Sequence, residues 1–420
     1  MLLDIAAKQG EFVYAIYKKY GKEVANNFYS IPTSKIAYEF TRKVCILLEL
    51  DVSHIIADYT SYHLLEENNI IENDKIKIGD KYMKFDAIVA NPPYQLTTDG
   101  TSDEPIYHRF MEVSYNLSDK ATLITPARFL FNAGKTPKEW NNKILNDKHF
   151  KVVWYKSRSQ VVFPNVDIKG GVAVTFRDKQ QEFGKLGTYT AFLELQKILE
   201  KVTFSNSFRA VTNIIYAQNK FSLKVLYKEH PQYEKIIGSN GKERRLTTSI
   251  FQLKELFTEE SKHKDDLCIL GLIKNNRIYR YIPCKYIEQH ENTHKYKVII
   301  PKSNGSGALG EALSKPLIGK PLIGYTQSFI SIGAFDTYIE AEAAFKYVKT
   351  KFARVMLGIL KVTQDNSKEV WKFVPLQNFT ATSDIDWSQS VADIDRQLYA
   401  KYGLSEEEIG FIEGMIKVMG

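Results

Sequence analysis

The sequence predicts an α/β protein: a mostly parallel sheet with helices on both faces, followed by a second domain of mixed α+β structure. Apolar segments of strand length alternate with amphipathic segments of helix length in roughly the first 190 residues, which is typical of such a sheet. The chain has 420 residues, more than one domain usually holds. We therefore expect domains at residues 1–190 and 191–385, with a C-terminal helical tail at 386–420.

The first half predicts strands and helices in alternating order. Strands are expected at residues 1–7, 26–31, 85–90, 121–125, 152–155 and 171–176, with a mixed apolar stretch at 52–59. Helices are expected at 11–20, at 106–117, and from a start at 32–34 through 48. Gly10 supplies a turn before the first helix, and Thr33 or Ser34 is placed to cap the second.

The pattern changes near Tyr189, after which strands become shorter and polar residues more frequent. Helices are expected at 191–202, at 339–363 as one long apolar helix, and at 405–418. Ser405 and Glu408 form a capping box at the start of the last helix. The internally similar segment 316–324 predicts two strand–turn units.

Composition excludes several classes of protein. The chain is 44% apolar and 25% charged, as soluble globular proteins are. Its net charge of +8 permits a polyanionic partner without proving one. Three cysteines without a Cys-x-x-Cys pair argue against a disulfide framework and favour the reducing cytosol. No apolar run approaches 18 residues, so we expect no transmembrane helix and a cytoplasmic protein without a membrane partner.

The tetrapeptide Asn91-Pro92-Pro93-Tyr94 is the strongest signal in the chain. It follows the predicted strand 85–90, at the end where open α/β sheets place their ligands. At average composition it should occur by chance in roughly one of a thousand chains of this length. The alternative interpretation is a proline-rich turn between a strand and a loop.

These residue types suit chemistry on the exocyclic amine of adenine. The lone pair of that amine is delocalised into the ring, and two acceptors aimed at its two hydrogens would draw the lone pair back onto nitrogen. The Asn91 side-chain oxygen and the Pro92 carbonyl can be those acceptors, because two prolines stiffen the turn and remove two N–H donors. Tyr94 offers a flat face for stacking on the base. The reaction needs no metal ion.

The motif resembles the catalytic motif of S-adenosylmethionine-dependent DNA adenine methyltransferases. The order of segments is similar to TaqI-like restriction-modification methylases, in which a methylase domain precedes a target-recognition domain. The resemblance covers residues 1–190 clearly, and the part from 267 onward by general pattern. It implies a Rossmann-like sheet, S-adenosylmethionine as cofactor, duplex DNA as substrate, and flipping of the target adenine out of the helix.

The resemblance also implies further site residues. Residues 4–12 resemble the cofactor loop, and the resemblance assigns to the cofactor site Asp4, Ala6, Gly10, Phe12 and, as the acid that reads the cofactor's adenine, Asp80. Residues 123–129 resemble the strand and turn beside the target pocket. Residues 162–174 resemble the segment that supplies a second aromatic side chain, here Phe163, so that Tyr94 and Phe163 would hold the flipped base.

The sequence departs from the family pattern in the cofactor loop. Lys8 and Gln9 precede a single Gly10 where two or more glycines are usual, and Ile5 replaces a proline. The acid expected after the second strand is missing from 30–33. The family has a segment before this loop, whereas this chain begins three residues before Asp4. We therefore expect weak cofactor binding by the chain alone, restored by an upstream extension or a partner.

These departures leave alternatives open. The chain could be a catalytically impaired DNA-binding fragment or subunit of a larger restriction enzyme, with a nuclease or N-terminal portion as partner. Methylation of RNA or of a protein glutamine uses related motifs, but the large second domain argues for duplex DNA.

Three other patterns carry weaker predictions. A basic–aromatic stretch offers DNA contacts through Lys274, Arg277, Arg280 and Lys285, or is a solvated strand edge. The His-Glu-x-x-His pattern at 290–294 matches a zinc-protease motif but is expected to be a polar loop, because Asn292 and Thr293 are weak helix formers. The glycine-rich segment 305–310 predicts either a loop near a DNA phosphate or a plain surface loop.

Overall fold

A computed structural model describes residues 1–66, 70–96, 103–204, 208–238 and 244–419. The chain divides into two compact units, Met1–Tyr189 and Thr190–Gly420. Among the described residues, no helix has both the length and the apolar character that a bilayer crossing requires.

The first unit alternates strands with helices along the chain. Its strands are β1 (Leu2–Ala7), β2 (Phe28–Pro32), β3 (Ile71–Glu72), β4 (Lys75–Ile78), β5 (Lys81–Met83), β6 (Ala87–Ala90), β7 (Gln95–Leu96), β8 (Glu104–Pro105), β9 (Lys120–Pro126), β10 (Phe150–Lys156) and β11 (Val172–Asp178). Its helices are α1 (Glu11–Tyr20), α2 (Lys22–Ala25), α3 (Lys35–Leu47), α4 (Tyr107–Leu117) and α5 (Lys138–Leu145).

Six of these strands form the main sheet, in the order β2-β1-β6-β9-β11-β10. The first four are mutually parallel, and β11 runs antiparallel to both of its neighbours. The predicted α/β class and mostly parallel, Rossmann-like sheet are therefore confirmed. Since the parallel strands share a direction, their carboxyl ends meet at one edge of the sheet, where the loops after β1, β6 and β9 lie.

Local sequence explains how α1 and α3 are placed against the sheet. The Ser34 hydroxyl accepts the Ala37 N–H at 3.1 Å and caps α3. The inner side of α3 buries Ala37, Thr41 and Cys45. Gly10, with φ of +76°, turns the chain from β1 into α1, and a Cβ added there would lie 3.2 Å from the Cβ of Val44 on α3. Gly10 thus also permits the close approach of these two helices.

The second unit combines two small sheets with a group of helices, which confirms the predicted α+β character. Its strands are β12 (Ile215–Tyr216), β13 (Asp266–Ile273), β14 (Asn276–Pro283), β15 (Tyr296–Pro301), β16 (Leu317–Gly319), β17 (Ile323–Tyr325) and β18 (Phe329–Phe335). Its helices are α6 (Leu193–Thr203), α7 (Leu223–Glu229), α8 (Glu234–Ile237), α9 (Tyr338–Lys349), α10 (Lys351–Gly358), α11 (Val391–Lys401) and α12 (Glu406–Met415).

The two sheets have the orders β12-β18-β15-β16 and β14-β13-β17. The two strand–turn units predicted for the segment 316–324 correspond to β16 and β17. The structure places one of these strands in each sheet. The residues after 386 are not a loose tail, because Ile394, Leu398 and Ile412 are fully buried in the same core as Trp371 and Phe352.

The single long helix expected at 339–363 is wrong. The structure has α9 and α10, separated at Thr350, whose ψ of 149° is extended. The Thr350 hydroxyl accepts the Ala353 N–H at 3.1 Å, and the Asp395 carboxylate accepts the N–H groups of Lys351 and Phe352 at 3.0 and 2.9 Å. A carboxylate from α11 thus stabilises a new helix start that contains neither glycine nor proline.

Candidate active site

The cofactor-loop residues and the Asn-Pro-Pro-Tyr motif lie on adjacent strands. In the parallel pairing of β1 with β6, Asp4 is opposite Val89. The residues after Ala7 and after Ala90 therefore leave the sheet side by side, at the edge where ligands of such sheets bind. The sequence alone had placed only the Asn91 motif at a strand end, and the pairing of β1 with β6 comes from the structure.

The motif after β6 adopts an irregular conformation with the Tyr94 side chain folded back onto Asn91. The Tyr94 hydroxyl donates a hydrogen bond of 2.9 Å to Asn91 Oδ1. Burial raises the pKa of the Tyr94 phenol, so the phenol remains a proton donor at neutral pH. The Ile106 N–H donates to the Tyr94 carbonyl at 3.1 Å and anchors the end of the motif. Asn91 Oδ1 therefore already serves as an acceptor, and its second lone pair remains for another donor.

A cavity of about 570 Å³ opens beside Tyr94, within the range of small-molecule sites. Its lining side chains are Tyr94, Gln95, Asp103, Pro105, Tyr107, Pro126, Arg128, Gly134, Lys135, Val166, Asp167 and Ile168. Pro126 and Arg128 come from the segment 123–129, and they line the same cavity as Tyr94. That this cavity receives the target base stays a prediction.

The segment expected to supply a second aromatic ring reaches the cavity with other side chains. Val166, Asp167 and Ile168 line it, whereas Phe163 is not among the lining residues. Phe163 belongs to a turn in which its N–H donates to the Ser159 carbonyl at 2.8 Å. The described wall on this side thus consists of two aliphatic side chains and one carboxylate, and the stacking role of Phe163 stays a prediction.

Arg128 is a cavity residue that sequence reasoning did not single out. Its Nε donates to the Lys169 carbonyl at 2.5 Å. A Cβ added at Gly170 would lie 2.7 Å from Arg128 Cγ, and one at Gly134 would lie 3.3 Å from Arg128 Cδ. Both glycines also have positive φ. Because they lack a Cβ, they leave room for the Arg128 side chain beside the cavity. Its position directly after the predicted strand 121–125 was the available signal.

Asp4 is a buried carboxyl group at the strand edge. It is 1% exposed, and its Oδ1 accepts the Ala6 N–H at 2.9 Å. Burial raises the pKa of Asp4 to about 7, because the charged form is poorly solvated there. A cationic group of a ligand would favour the ionised form. The α-ammonium of the methionine part of S-adenosylmethionine is such a group, so this residue fits the cofactor that the sequence implied.

Two other residues assigned to the cofactor site have clear structural roles. Gly10 makes the turn into α1 described above. Phe12 packs against the hydrophobic cluster that contains Val13, Phe28 and Cys45. Their contribution to cofactor binding stays a prediction.

Asp80 does not lie at the sheet edge. It is exposed in the turn between β4 and β5, which form a separate antiparallel sheet with β3. The edge position is taken instead by Asp58. Ile55 forms a parallel bridge with Ser30 of β2, the Ile56 N–H donates to the Ser30 carbonyl at 2.9 Å, and Asp58 follows that segment. In the sequence, Ile55 and Ile56 shortly before Asp58 form an apolar stretch that is too short to predict a strand.

Lys8 lies in the loop directly after β1, the strand that bears Asp4, and is half-buried. Its Nζ is 5.9 Å from the centroid of the Tyr94 ring. Burial lowers the pKa of Lys8, while the charges of Glu11 and Asp4 act in the opposite direction. Lys8 thus stands between the cofactor-loop acid and the aromatic residue of the catalytic motif, although the sequence had marked it only as a departure from the family.

The predicted DNA contacts of the second unit are mostly engaged within the protein. Arg280 pairs with Glu259 at 2.7 Å and Lys285 with Glu229 at 2.6 Å. Arg277 donates to a backbone carbonyl, that of Lys315, at 2.5 Å. Lys274 is exposed at the tip of the β13–β14 hairpin. A role of these four residues in DNA binding stays a prediction.

The two remaining motifs are structural. Residues 291–294 form turns rather than a helix, and within the described ranges no three metal-binding side chains cluster. In the glycine-rich loop, the Glu311 carboxylate accepts the N–H groups of Ser306 and Gly307 at 2.9 and 3.0 Å. The amides that could hold a phosphate are thus already occupied.

Part of the chain matches a known protein family. Residues 26–163 match the model of the family described as Eco57I restriction-modification methylase, a span that contains Asn91–Tyr94. A curated protein of Mycoplasma pneumoniae, described as an uncharacterized adenine-specific methylase, is 29% identical over 117 residues, which are 27% of this chain and 28% of that protein. The chain therefore spans less than a third of this relative.

Two solved structures of restriction-modification proteins are similar to the chain. One is the methyltransferase subunit of a type I system from Streptococcus thermophilus, with 15% identity, a TM-score of 0.32, and coverage of 43% of this chain and 40% of that chain. The other is the type IIL enzyme MmeI in complex with DNA, with 10% identity, a TM-score of 0.46, and coverage of 99% and 72%. The resemblance to restriction-modification adenine methylases is confirmed for residues 26–163 by the family match and, over 117 aligned residues, by the curated relative.

Proposed function

We propose that the chain is a site-specific DNA methyltransferase that moves a methyl group from S-adenosylmethionine to the exocyclic amine of adenine in duplex DNA, within a restriction-modification system. The observation that carries the proposal is the position of Asn91. Its side-chain oxygen lies after β6, hydrogen-bonded to Tyr94 beside the cavity, and β6 is the neighbour of the strand that bears Asp4.

The residues of this chain would act by orienting and polarising the base. S-adenosylmethionine supplies an electrophilic methyl group when it is bound. Asn91 Oδ1 and the Pro92 carbonyl accept the two N–H hydrogens of the amine and raise the electron density on nitrogen. Tyr94 stacks on the ring, and Val166 and Ile168 offer an apolar surface from the cavity wall. The methylated amine is acidic and releases its proton to water, so no strong base is required.

The two ends of the cofactor would meet different residues. Asp4 would hold the α-ammonium. Its buried carboxyl group accepts the Ala6 N–H, and a nearby cation would stabilise its ionised form against the effect of burial. Asp58, at the edge of the sheet beyond β2, would accept hydrogen bonds from the adenosine part. Gly10 and Phe12 keep the loop after β1 in place.

The second unit would provide sequence recognition in the DNA major groove, where the base code is complete. Lys274 at the tip of the β13–β14 hairpin and the neighbouring Arg277, Arg280 and Lys285 are the proposed contacts. A nuclease, or a larger enzyme that contains this chain, would be the partner, and the reaction would take place in the cytoplasm.

Expression in a host that lacks DNA methylation tests the proposal. Sequencing of the host's genomic DNA should show N6-methyladenine within one short recognition sequence, and the matched variant Asn91→Ala should leave that sequence unmodified. Unmodified genomic DNA, together with a purified chain that binds duplex DNA but not S-adenosylmethionine, would indicate a DNA-binding module instead.

A further inference from the structure

Lys8 is a half-buried cation in the loop after β1. No carboxylate of the described chain lies within ion-pair distance of its Nζ. Other lysines of the same unit do have such partners: Lys22 lies 2.8 Å from Glu49, and Lys169 lies 2.6 Å from Asp167. Burying an ammonium group without an anion is unfavourable, so Lys8 is a point at which a bound anion would stabilise the protein.

The groups that face Lys8 from the surrounding elements do not supply that anion. Glu11, on α1, accepts the Gln9 N–H at 3.0 Å and so is engaged with the loop itself. Asp4, on β1, is buried and bonded to Ala6. Tyr94, after β6, presents the face of a ring that burial keeps neutral. The ring attracts the ammonium only weakly, and it carries no full negative charge.

Asp4, on β1, and Lys8, in the loop that follows it, carry groups of opposite charge four positions apart in the sequence. The amino-acid end of S-adenosylmethionine is a zwitterion, with an α-ammonium and an α-carboxylate on the same carbon. The Asp4 carboxylate and the Lys8 ammonium complement those two charges. Glycine at position 8, the residue type of the family pattern, would offer only backbone groups to the carboxylate.

We propose that Lys8 binds the α-carboxylate of the methionine part of S-adenosylmethionine, and that this chain thereby recognises the cofactor's amino-acid end with a side chain. The inference rests on the proposed function, because it takes S-adenosylmethionine as the cofactor. Lys8 is a binding and selectivity residue here and touches no reacting atom.

Titration calorimetry with two ligands tests the proposal on the full chain. S-adenosylmethionine carries the α-carboxylate, whereas decarboxylated S-adenosylmethionine keeps the ammonium and lacks the carboxylate. The parent chain should prefer S-adenosylmethionine by about tenfold to a hundredfold, the range of one charge-assisted hydrogen bond. Lys8→Met keeps the apolar stem of the side chain and should abolish this preference with little change in the affinity for the decarboxylated ligand. Lys8→Arg should restore most of it.

Lys18→Met is the matched control, since Lys18 is exposed near the end of α1, and it should leave both affinities unchanged. Equal affinities of the parent for the two ligands would overturn the assignment of Lys8. So would an equal loss of both affinities in Lys8→Met, which would indicate a structural role in the loop. Failure of the parent to bind either ligand would instead contradict the cofactor itself, and with it the proposed function.

Discussion

Replacement of Asn91 by alanine tests the central contact of the site. The change removes the side-chain oxygen that lies 2.9 Å from the Tyr94 hydroxyl and, by our proposal, accepts one hydrogen of the adenine amine. Loss of one such preorganised hydrogen-bonding group typically lowers a catalytic rate by about 10²–10³-fold, or about 3–4 kcal/mol of activation free energy. Because the Pro92 carbonyl remains, we expect Asn91→Ala to keep a measurable transfer rate, about 10²–10³-fold below that of the parent.

The assay is single-turnover transfer of a tritiated methyl group from saturating S-adenosylmethionine to a DNA duplex that contains the recognition sequence. Calorimetry with S-adenosylmethionine runs in parallel. Asn91 follows β6 and not the loop after β1, so its loss should leave cofactor affinity within about twofold.

Tyr94→Phe is the comparison variant for this experiment. It keeps the ring and removes only the hydroxyl that donates to Asn91 Oδ1. We expect its transfer rate to fall less than tenfold, because the acceptor on Asn91 stays in place. A rate for Asn91→Ala within threefold of the parent would refute the assignment of this side chain to the amine.

Three further predictions concern the aromatic face, the buried acid and the sheet. Tyr94→Ala should weaken the hold on an extrahelical base by about 1–3 kcal/mol and overall DNA affinity much less, and unchanged fluorescence of 2-aminopurine at the target position would contradict this. Burial raises the pKa of Asp4 to about 7, and the α-ammonium favours the ionised form, so the affinity for S-adenosylmethionine should fall as pH decreases from 8 to 6. Asp4→Asn should lower the affinity at pH 8 and remove this pH dependence in calorimetry. Gly171→Ala would place a Cβ 2.1 Å from the Lys156 carbonyl oxygen, whereas Gly184→Ala, also at positive φ, would meet nothing within 4 Å. We expect the first variant to lower the free energy of unfolding by about 2 kcal/mol more than the second, measured by denaturant titration.

The parts of the fold that sequence predicted are those that depend on local pattern. The strand at 1–7 and the helix at 11–20 became β1 and α1 almost without change, because their apolar spacing and the turn at Gly10 are contained in the segment itself. The placement of the Asn91 motif directly after a strand also followed from sequence, whereas the pairing of that strand with β1 is known only from the structure.

The errors arose where distant residues decide the outcome. The break at Thr350 depends on Asp395, which caps Lys351 from 44 residues along the chain. The edge position of Asp58 depends on one parallel bridge, between Ile55 and Ser30, that is too short to give a strand pattern.

The burial of the C-terminal helices limits how the second unit can be exchanged between proteins. Ile394, Leu398 and Ile412 have no exposed surface, and they lie in the core that also holds Phe352 and Trp371. A graft that ends at residue 385 would lack α11 and α12 and would expose their packing partners Phe352 and Trp371 to water. This should lower the free energy of unfolding by about 1.5–3 kcal/mol for each large apolar side chain that becomes exposed. A transplanted module should therefore begin near Thr190 and include α11 and α12.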